Sequence, residues 1–191
     1  ISLLKVIDNP AQDIYLAAAM LGPMFGFTDD DLVRLRAQSA AMQKKAQEEQ
    51  GAKETGKRAS RMSLYGAVLQ VVQNDDETPF TRKVKDFYDR LAALRRMARS
   101  APAEQLLEEI FASTGYLAAL GVMENGARRR EDARRFASFC ATSGTGGISA
   151  LVRAIDAAAL AGSTGQDTVP GGSRPGCVTV MTIHRSKGLQ F

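Results

Sequence analysis

Phe80, Val84, Phe87, Leu91, Leu94 and Met97 recur at steps of three and four residues. Only a helix gathers side chains so spaced onto one face. Thr78 and Pro79 precede them: a hydroxyl able to cap the first turn, then a proline where no amide proton is needed. The same spacing returns in Tyr65, Val68, Leu69 and Val72, and in Ile148, Leu151, Val152 and Ile155. It also appears in Leu106, Leu107, Ile110 and Phe111, a short helix begun by Ser100 and Pro102. Thr28, followed by Asp29, Asp30 and Asp31, opens another helix, with carboxylates where the helix dipole favours them. The expectation is a mainly α, multi-helix chain in which these stripes, with Met97, Phe136 and Phe139, form core rather than a cofactor pocket.

The breaks are equally legible. Gly22, Pro23 and Gly26 interrupt the first helical stretch, and Gly144, Gly146 and Gly147 separate two later ones. Residues 47–60 are polar and contain Gly51 and Gly56, which reads as a mobile loop. Residues 162–176 are the longest stretch rich in Gly, Ser and Pro and read as a linker. Beyond it, residues 177–183 (Cys, Val, Thr, Val, Met, Thr, Ile) form the one convincing strand. A lone strand cannot satisfy its own amides and carbonyls, so its sheet partners are expected in sequence outside this chain. The opening ISLLKVIDNP has neither an initiator Met nor the pattern of a signal peptide. The chain is therefore expected to be a piece of a longer one.

Composition excludes several classes. With 45% apolar and 24% charged residues the 191-residue chain is too apolar for a disordered tail. No run approaches the roughly 20 apolar residues of a membrane-spanning helix, so no membrane partner is expected. Two distant cysteines, Cys140 and Cys177, suit a reduced cytoplasmic protein and give no disulfide framework. With one histidine, His184, there is no set of zinc ligands, and no metal site is expected. No G-x-S-x-G nucleophile elbow occurs.

The net charge of +4 permits nucleic-acid binding without requiring it. Basic side chains cluster in three places. Arg82, Lys83, Lys85, Arg90, Arg95, Arg96 and Arg99 stand against Asp86 and Asp89. Arg128, Arg129, Arg130, Arg134 and Arg135 stand against Glu131 and Asp132. Lys44, Lys45, Lys53, Lys57, Arg58 and Arg61 surround the polar loop. Each is either a solvated face or a contact to duplex phosphates. Arg82, Lys83, Arg95, Arg96, Arg128, Arg129 and Arg130 are the candidate duplex contacts. Aromatic residues are not interleaved, which argues against stacking on single strands.

The last residues carry a resemblance. Val178, Met181, Thr182, His184, Lys187, Gly188, Leu189 and Phe191 match V-x-x-M-T-x-H-x-x-K-G-L-E-F, motif V of the UvrD/Rep superfamily-one helicases. Gln190 departs, standing where that pattern has Glu. The beginning of the chain, from Leu3 through Ile7, Asn9, Pro10 and Asp13, resembles the L-x-x-I-x-N-P-x-D-D of the same helicases. The run from Gly22 through Phe25, Gly26, Phe27, Thr28, Asp29, Asp30 and Leu32 is similar to VLRSPLFGFTDDEL of the AddA branch. Thr114, Gly115, Tyr116 and Leu117 fit that branch's ETGYL.

The resemblance implies a 2B-like helical domain over residues 1–176, with 1–20 the exit helix of motor domain 2A. Residues 177–191 would return to 2A and carry motif V. It further implies that Thr182 and His184 hold the DNA backbone, while Lys187, Gly188 and Gln190 stand at the nucleotide. Strand alternation puts Thr182 and His184 on one face, with groups suited to a phosphate oxygen. Gln190 keeps an acceptor oxygen but lacks the charge of Glu. The parent would use ATP and Mg2+, process duplex DNA ends and single strands in break repair, and pair with an AddB-like subunit. The alternatives are a RecB-like or UvrD/PcrA-like parent, or a helical module that touches only protein. Gly144, Thr145, Gly146 and Gly147 are glycine-rich, but G-x-x-x-x-G-K-[ST] occurs nowhere. The 191-residue chain should therefore bind no cofactor by itself and release no phosphate from ATP above a buffer control, with or without DNA.

Overall fold

A computed structural model describes residues 1–49, 62–74, 77–143 and 146–162. The described residues form nine helices and no strand. In order they are α1 (Ser2–Asp8), α2 (Asp13–Leu21), α3 (Asp29–Glu49), α4 (Leu64–Gln73), α5 (Pro79–Met97), α6 (Ala103–Thr114), α7 (Tyr116–Gly121), α8 (Gly126–Ser143) and α9 (Gly147–Gly162). The expected mainly α fold is what the described residues show. The linker at 162–176, past its first residue, and the strand at 177–183 lie outside them.

α5 is the longest uninterrupted piece of core. Thr78 accepts from the Thr81 amide at 3.1 Å while Thr81 Oγ1 accepts from the Thr78 amide at 2.8 Å, closing a reciprocal cap ahead of Pro79. From that start Phe80, Val84, Phe87, Leu91 and Leu94 run buried along one face, and Met97 is half-buried. α1, α4 and α6 pack against α5. Phe25 and Phe27, from the turn between α2 and α3, meet Phe87 edge-on with ring centroids 4.8 and 5.7 Å away. Gly26 lies between them at φ +64°, a conformation that glycine adopts without strain.

The breaks have local causes. α1 stops at Asp8 because Pro10 disfavours a helical Asn9, which is extended at φ −138° and whose side chain accepts from the Ala11 amide. Thr28 accepts from the Asp31 amide at 3.2 Å and Asp31 returns the bond to the Thr28 amide at 3.0 Å, starting α3. Gly115, at φ +61°, separates α6 from α7. Gly126 leaves no room for a Cβ, which would strike the Gly121 carbonyl.

Three expectations need correction. α3 continues through Glu49 instead of yielding to a loop at residue 47, because the stretch from Ala40 to Glu49 is almost all strong helix formers. The inward face of α4 is Leu64, Ala67, Val68 and Val71, while Tyr65, Leu69 and Val72 are only half-buried. α4 packs against α2, α3 and α5, so more than one of its faces is covered. Pro102, not Ser100, is the residue that caps α6, and it does so without a side-chain hydrogen bond.

A polar node closes the packing of α2, α3 and α4. Asp13 holds Arg36 at 2.6 Å and accepts from the Leu64 amide at 2.7 Å, and Arg36 also donates to the Met62 carbonyl. Cys140, the free thiol among the described residues, is fully buried, and its desolvation pushes its pKa up to about 11. Phe87 is 1% exposed. Phe87→Ala should cost about 3–5 kcal/mol in urea unfolding, whereas Arg96→Ala on the exposed side should stay within about 0.5 kcal/mol. A loss below about 1 kcal/mol at Phe87 would mean that the ring is not the keystone of this core.

Candidate nucleic-acid interface

The cations of α5 divide into two sets. Lys83 turns inward along the helix edge: its Nζ lies 2.7 Å from Asp31, 2.7 Å from the Gly26 carbonyl and 4.5 Å above the Phe27 ring. This ammonium holds the Asp31 carboxyl below its ordinary range, helped by the Thr28 amide. Arg95 donates to the Ile7 carbonyl at 3.1 Å, closing the open end of α1. Arg90 bridges Asp86 and the Ser113 carbonyl. Arg82 and Arg96 do face solvent, and Arg82 has Glu77 3.8 Å away. On the same outward line, however, stand Asp86 and Asp89. The outer face of α5 is therefore mixed in charge.

α8 is different. It begins at Gly126 after a turn in which Asn125 adopts φ +57°, and its arginines radiate from that turn. Arg128 is 87% exposed, with Asp132 at 4.0 Å. Arg129 is exposed and donates to the Glu124 carbonyl at 2.9 Å. Arg130 is half-buried, its guanidinium lying over Gly121. Arg134 and Arg135 continue along the helix, with Glu131 3.3 Å from Arg135. Ion pairs this exposed are weak and leave the guanidinium groups available to other anions. Val122, 90% exposed, projects from the same turn. The turn itself had no periodic signal in the sequence that would have marked Val122 as exposed.

α6 packs against both α5 and α8 and presents Glu104, Glu108 and Glu109 to solvent. An acidic face thus accompanies the helix that links the two basic runs. Among the candidate duplex contacts, Arg128, Arg129 and Arg130 are brought together, Arg82 and Arg96 are exposed on another helix, and Lys83 and Arg95 are engaged internally. Sequence reasoning missed a cleft of about 330 Å3 lined by Arg99, Ser100, Pro102, Leu106, Gly147 and Ile148. Each of these residues was legible only in a local role, Arg99 as one charge among many and the others as a helix start, a glycine break and apolar stripes, and none as the lining of a cleft.

Thr182, His184, Lys187, Gly188 and Gln190 lie outside the described residues, as do Lys53, Lys57, Arg58 and Arg61. No group of His, Cys, Asp and Glu suited to a metal ion occurs among the described residues. Nor is any described helix long and apolar enough to cross a membrane.

No family model matches the chain. Along its whole length, however, it is similar to curated proteins of one kind, the AddA-type subunits of ATP-dependent helicase/nucleases. It is 31% identical over 193 residues to the one from Exiguobacterium sibiricum. Against those from Bacillus cereus strain G9842 and Thermoanaerobacter pseudethanolicus it is 30% identical over 194 and 195 residues. The chain spans 14% of the length of each of these relatives.

If the α8 arginines form a phosphate-binding surface, Arg128→Ala and Arg129→Ala should each weaken duplex binding equally across sequences. Each should also flatten the log–log salt dependence by about 1 for every phosphate no longer neutralised. Fluorescence anisotropy across a salt series measures both. An unchanged slope in the double variant would remove α8 from the interface.

Proposed function

We propose that this chain is the 2B-type helical insertion of an AddA-type helicase/nuclease, together with motif V of its second motor domain. The observation that carries the reading is the similarity across the whole chain to proteins of that type, with the motif V positions from Val178 to Phe191 in order. The boundaries follow: residues 1–176 are the helical domain, with 1–20 leaving motor domain 2A, and 177–191 return to it. The parent couples ATP hydrolysis, with Mg2+, to unwinding of duplex ends and feeds a nuclease in break repair. An AddB-like subunit is its partner, and its setting is the cytoplasm.

In this reading the helical body positions duplex DNA and contacts neighbouring domains without catalysing anything. Its DNA-facing surface is the arginine-rich start of α8, where the cations are least committed to the fold. Thr182 and His184 bind the DNA backbone, and Lys187, Gly188 and Gln190 shape the nucleotide side of the same turn. A second reading has its own support. Lys83, Arg90 and Arg95 are tied up internally and α6 is acidic, as in a helical module that touches only protein.

In the full-length parent, His184→Ala should remove one charge-assisted backbone contact and weaken DNA binding by about 1–2 kcal/mol. The loss should be the same for all DNA sequences, since phosphate contacts carry no sequence information. ATP binding should survive while DNA-stimulated hydrolysis and unwinding fall. Gln190→Glu should instead change nucleotide affinity more than DNA affinity. Wild-type DNA affinity and unwinding in His184→Ala would refute the assignment. Absence of duplex binding by the 191-residue chain at low salt would favour the protein-only module.

A further inference from the structure

The cleft of about 330 Å3 between the α5–α6 turn and the start of α9 is separate from the α8 arginines. It stays open because the segments around it carry little to fill it. After Met97 the chain folds tightly, with the Ser100 and Ala101 amides donating to the Met97 carbonyl at 3.1 and 2.9 Å, and Pro102 then turns it into α6. Ala98, Ala101 and Ala103 bring only methyl groups. Opposite them α9 opens on Gly147, which brings no side chain at all. Buried Leu106 and Leu151 form an apolar floor, and half-buried Ile148 adds to it.

Arg99 is the one charged residue in the lining. It is exposed and has no ion pair among the described residues, whereas Arg82, Arg90 and Arg95 on the same run are held by Glu77, Asp86 and the Ile7 carbonyl. An apolar floor with a single uncommitted cation at its edge suits a large apolar side chain beside a carboxylate. Other ligands fit less well. Pockets that enclose whole small molecules run from roughly 300 to 1,000 Å3, and this one stands at the lower end. A nucleotide polyphosphate would find one cation for several charges. The lining has no aromatic ring on which a base could stack.

The place of the cleft points to another polypeptide as the source. α9 is about 24 Å long. The cleft lies at its Gly147 end, and the chain goes on from its Gly162 end. Residues 163–176 contain Val169 as their one aliphatic side chain larger than proline. We infer that the cleft docks an acidic segment of a companion polypeptide: a Leu or Phe side chain settles over Leu106 and Leu151, and an adjacent Asp or Glu pairs with Arg99. This site stands whether or not the α8 arginines meet DNA.

A blocked peptide tests it. Acetyl-Gly-Ser-Phe-Asp-Ser-Gly-amide is titrated into the 15N-labelled 191-residue chain, and the backbone amide resonances are followed. Those of residues 98–103 and 147–151 should shift and saturate in the millimolar range or below. Arg99→Gln, an exposed change, should weaken binding about threefold to fivefold, and so should Asn in place of the peptide's Asp. The two changes together should weaken it no further, because both remove the same ion pair. Ala in place of the peptide's Phe should abolish saturation. Absence of saturation by about 10 mM peptide, shifts centred on α8, or full affinity in Arg99→Gln would overturn the inference. So would two other results. Equal shifts with sodium acetate alone would make the cleft an anion site only. Movement of the same resonances by Val169→Ser without peptide would mean that the chain fills its own cleft.

Discussion

The apolar line along α5 is what α1, α4 and α6 are fastened to, and its placement decides which charges on that helix remain free. Phe80, Val84, Phe87, Leu91 and Leu94 give α1, α4 and α6 a common surface, and the Phe25–Phe27 turn closes over Phe87. Around this line the edge cations of α5 act as staples. Lys83 ties α5 to the start of α3, and Arg95 ties it to the last turn of α1. α1 is only seven residues long, far below the length at which an isolated helix holds its own nucleus. Leu3, Leu4, Val6 and Ile7 are all buried, so α1 exists through tertiary contact.

This division explains what could be read from sequence. The α5 face, its start at Thr78 and Pro79, the opening of α3 at Thr28 and the glycine breaks all follow from spacings within one or two turns. The α4 face did so only in part: the spacing of Tyr65, Val68, Leu69 and Val72 found the buried Val68, but three neighbours cover the helix and its inward face also takes in Leu64, Ala67 and Val71. The commitment of the cations was hidden for a different reason. Lys83 meets a residue 52 positions away and Arg95 one 88 positions away. A basic run has the same composition whether its charges are solvated or hydrogen-bonded inside the fold. The exposed apolar line of α2 was likewise silent, since an apolar helix reads as core until its neighbours are known. The roles of Thr182, His184, Lys187, Gly188 and Gln190 rest on resemblance, and these residues lie outside the described ones.

Electrostatics then concentrates the nucleic-acid reading on one end. On α5 the outward arginines alternate with Asp86 and Asp89, and α6 adds Glu104, Glu108 and Glu109, so a polyanion crossing these helices would meet both signs. At the start of α8 Arg128, Arg129 and Arg130 occupy three successive positions ahead of Glu131 and Asp132, and the amides of the first helical turn point the same way as their charge. Phosphate affinity grows with the number of cations presented together, so α8 outweighs α5 even though the α5 run is richer in basic residues.

The path of the chain supports an insertion in a further way. α1 and α9 pack together, with Lys5 2.7 Å from Asp156 and Ser149 bonded to Asp8. The Lys5 ammonium is held charged by Asp156 and Tyr15, and its pKa is raised accordingly. As numbering rises from 5 to 8 along α1, the partner on α9 falls from 156 to 149, so the two helices run antiparallel. The beginning of α1 therefore lies toward the far end of α9. A domain whose ingoing and outgoing segments run side by side can be carried within a loop of another domain without distorting it. α2, packed on α1, adds exposed Ile14 and Leu21 to the ingoing side.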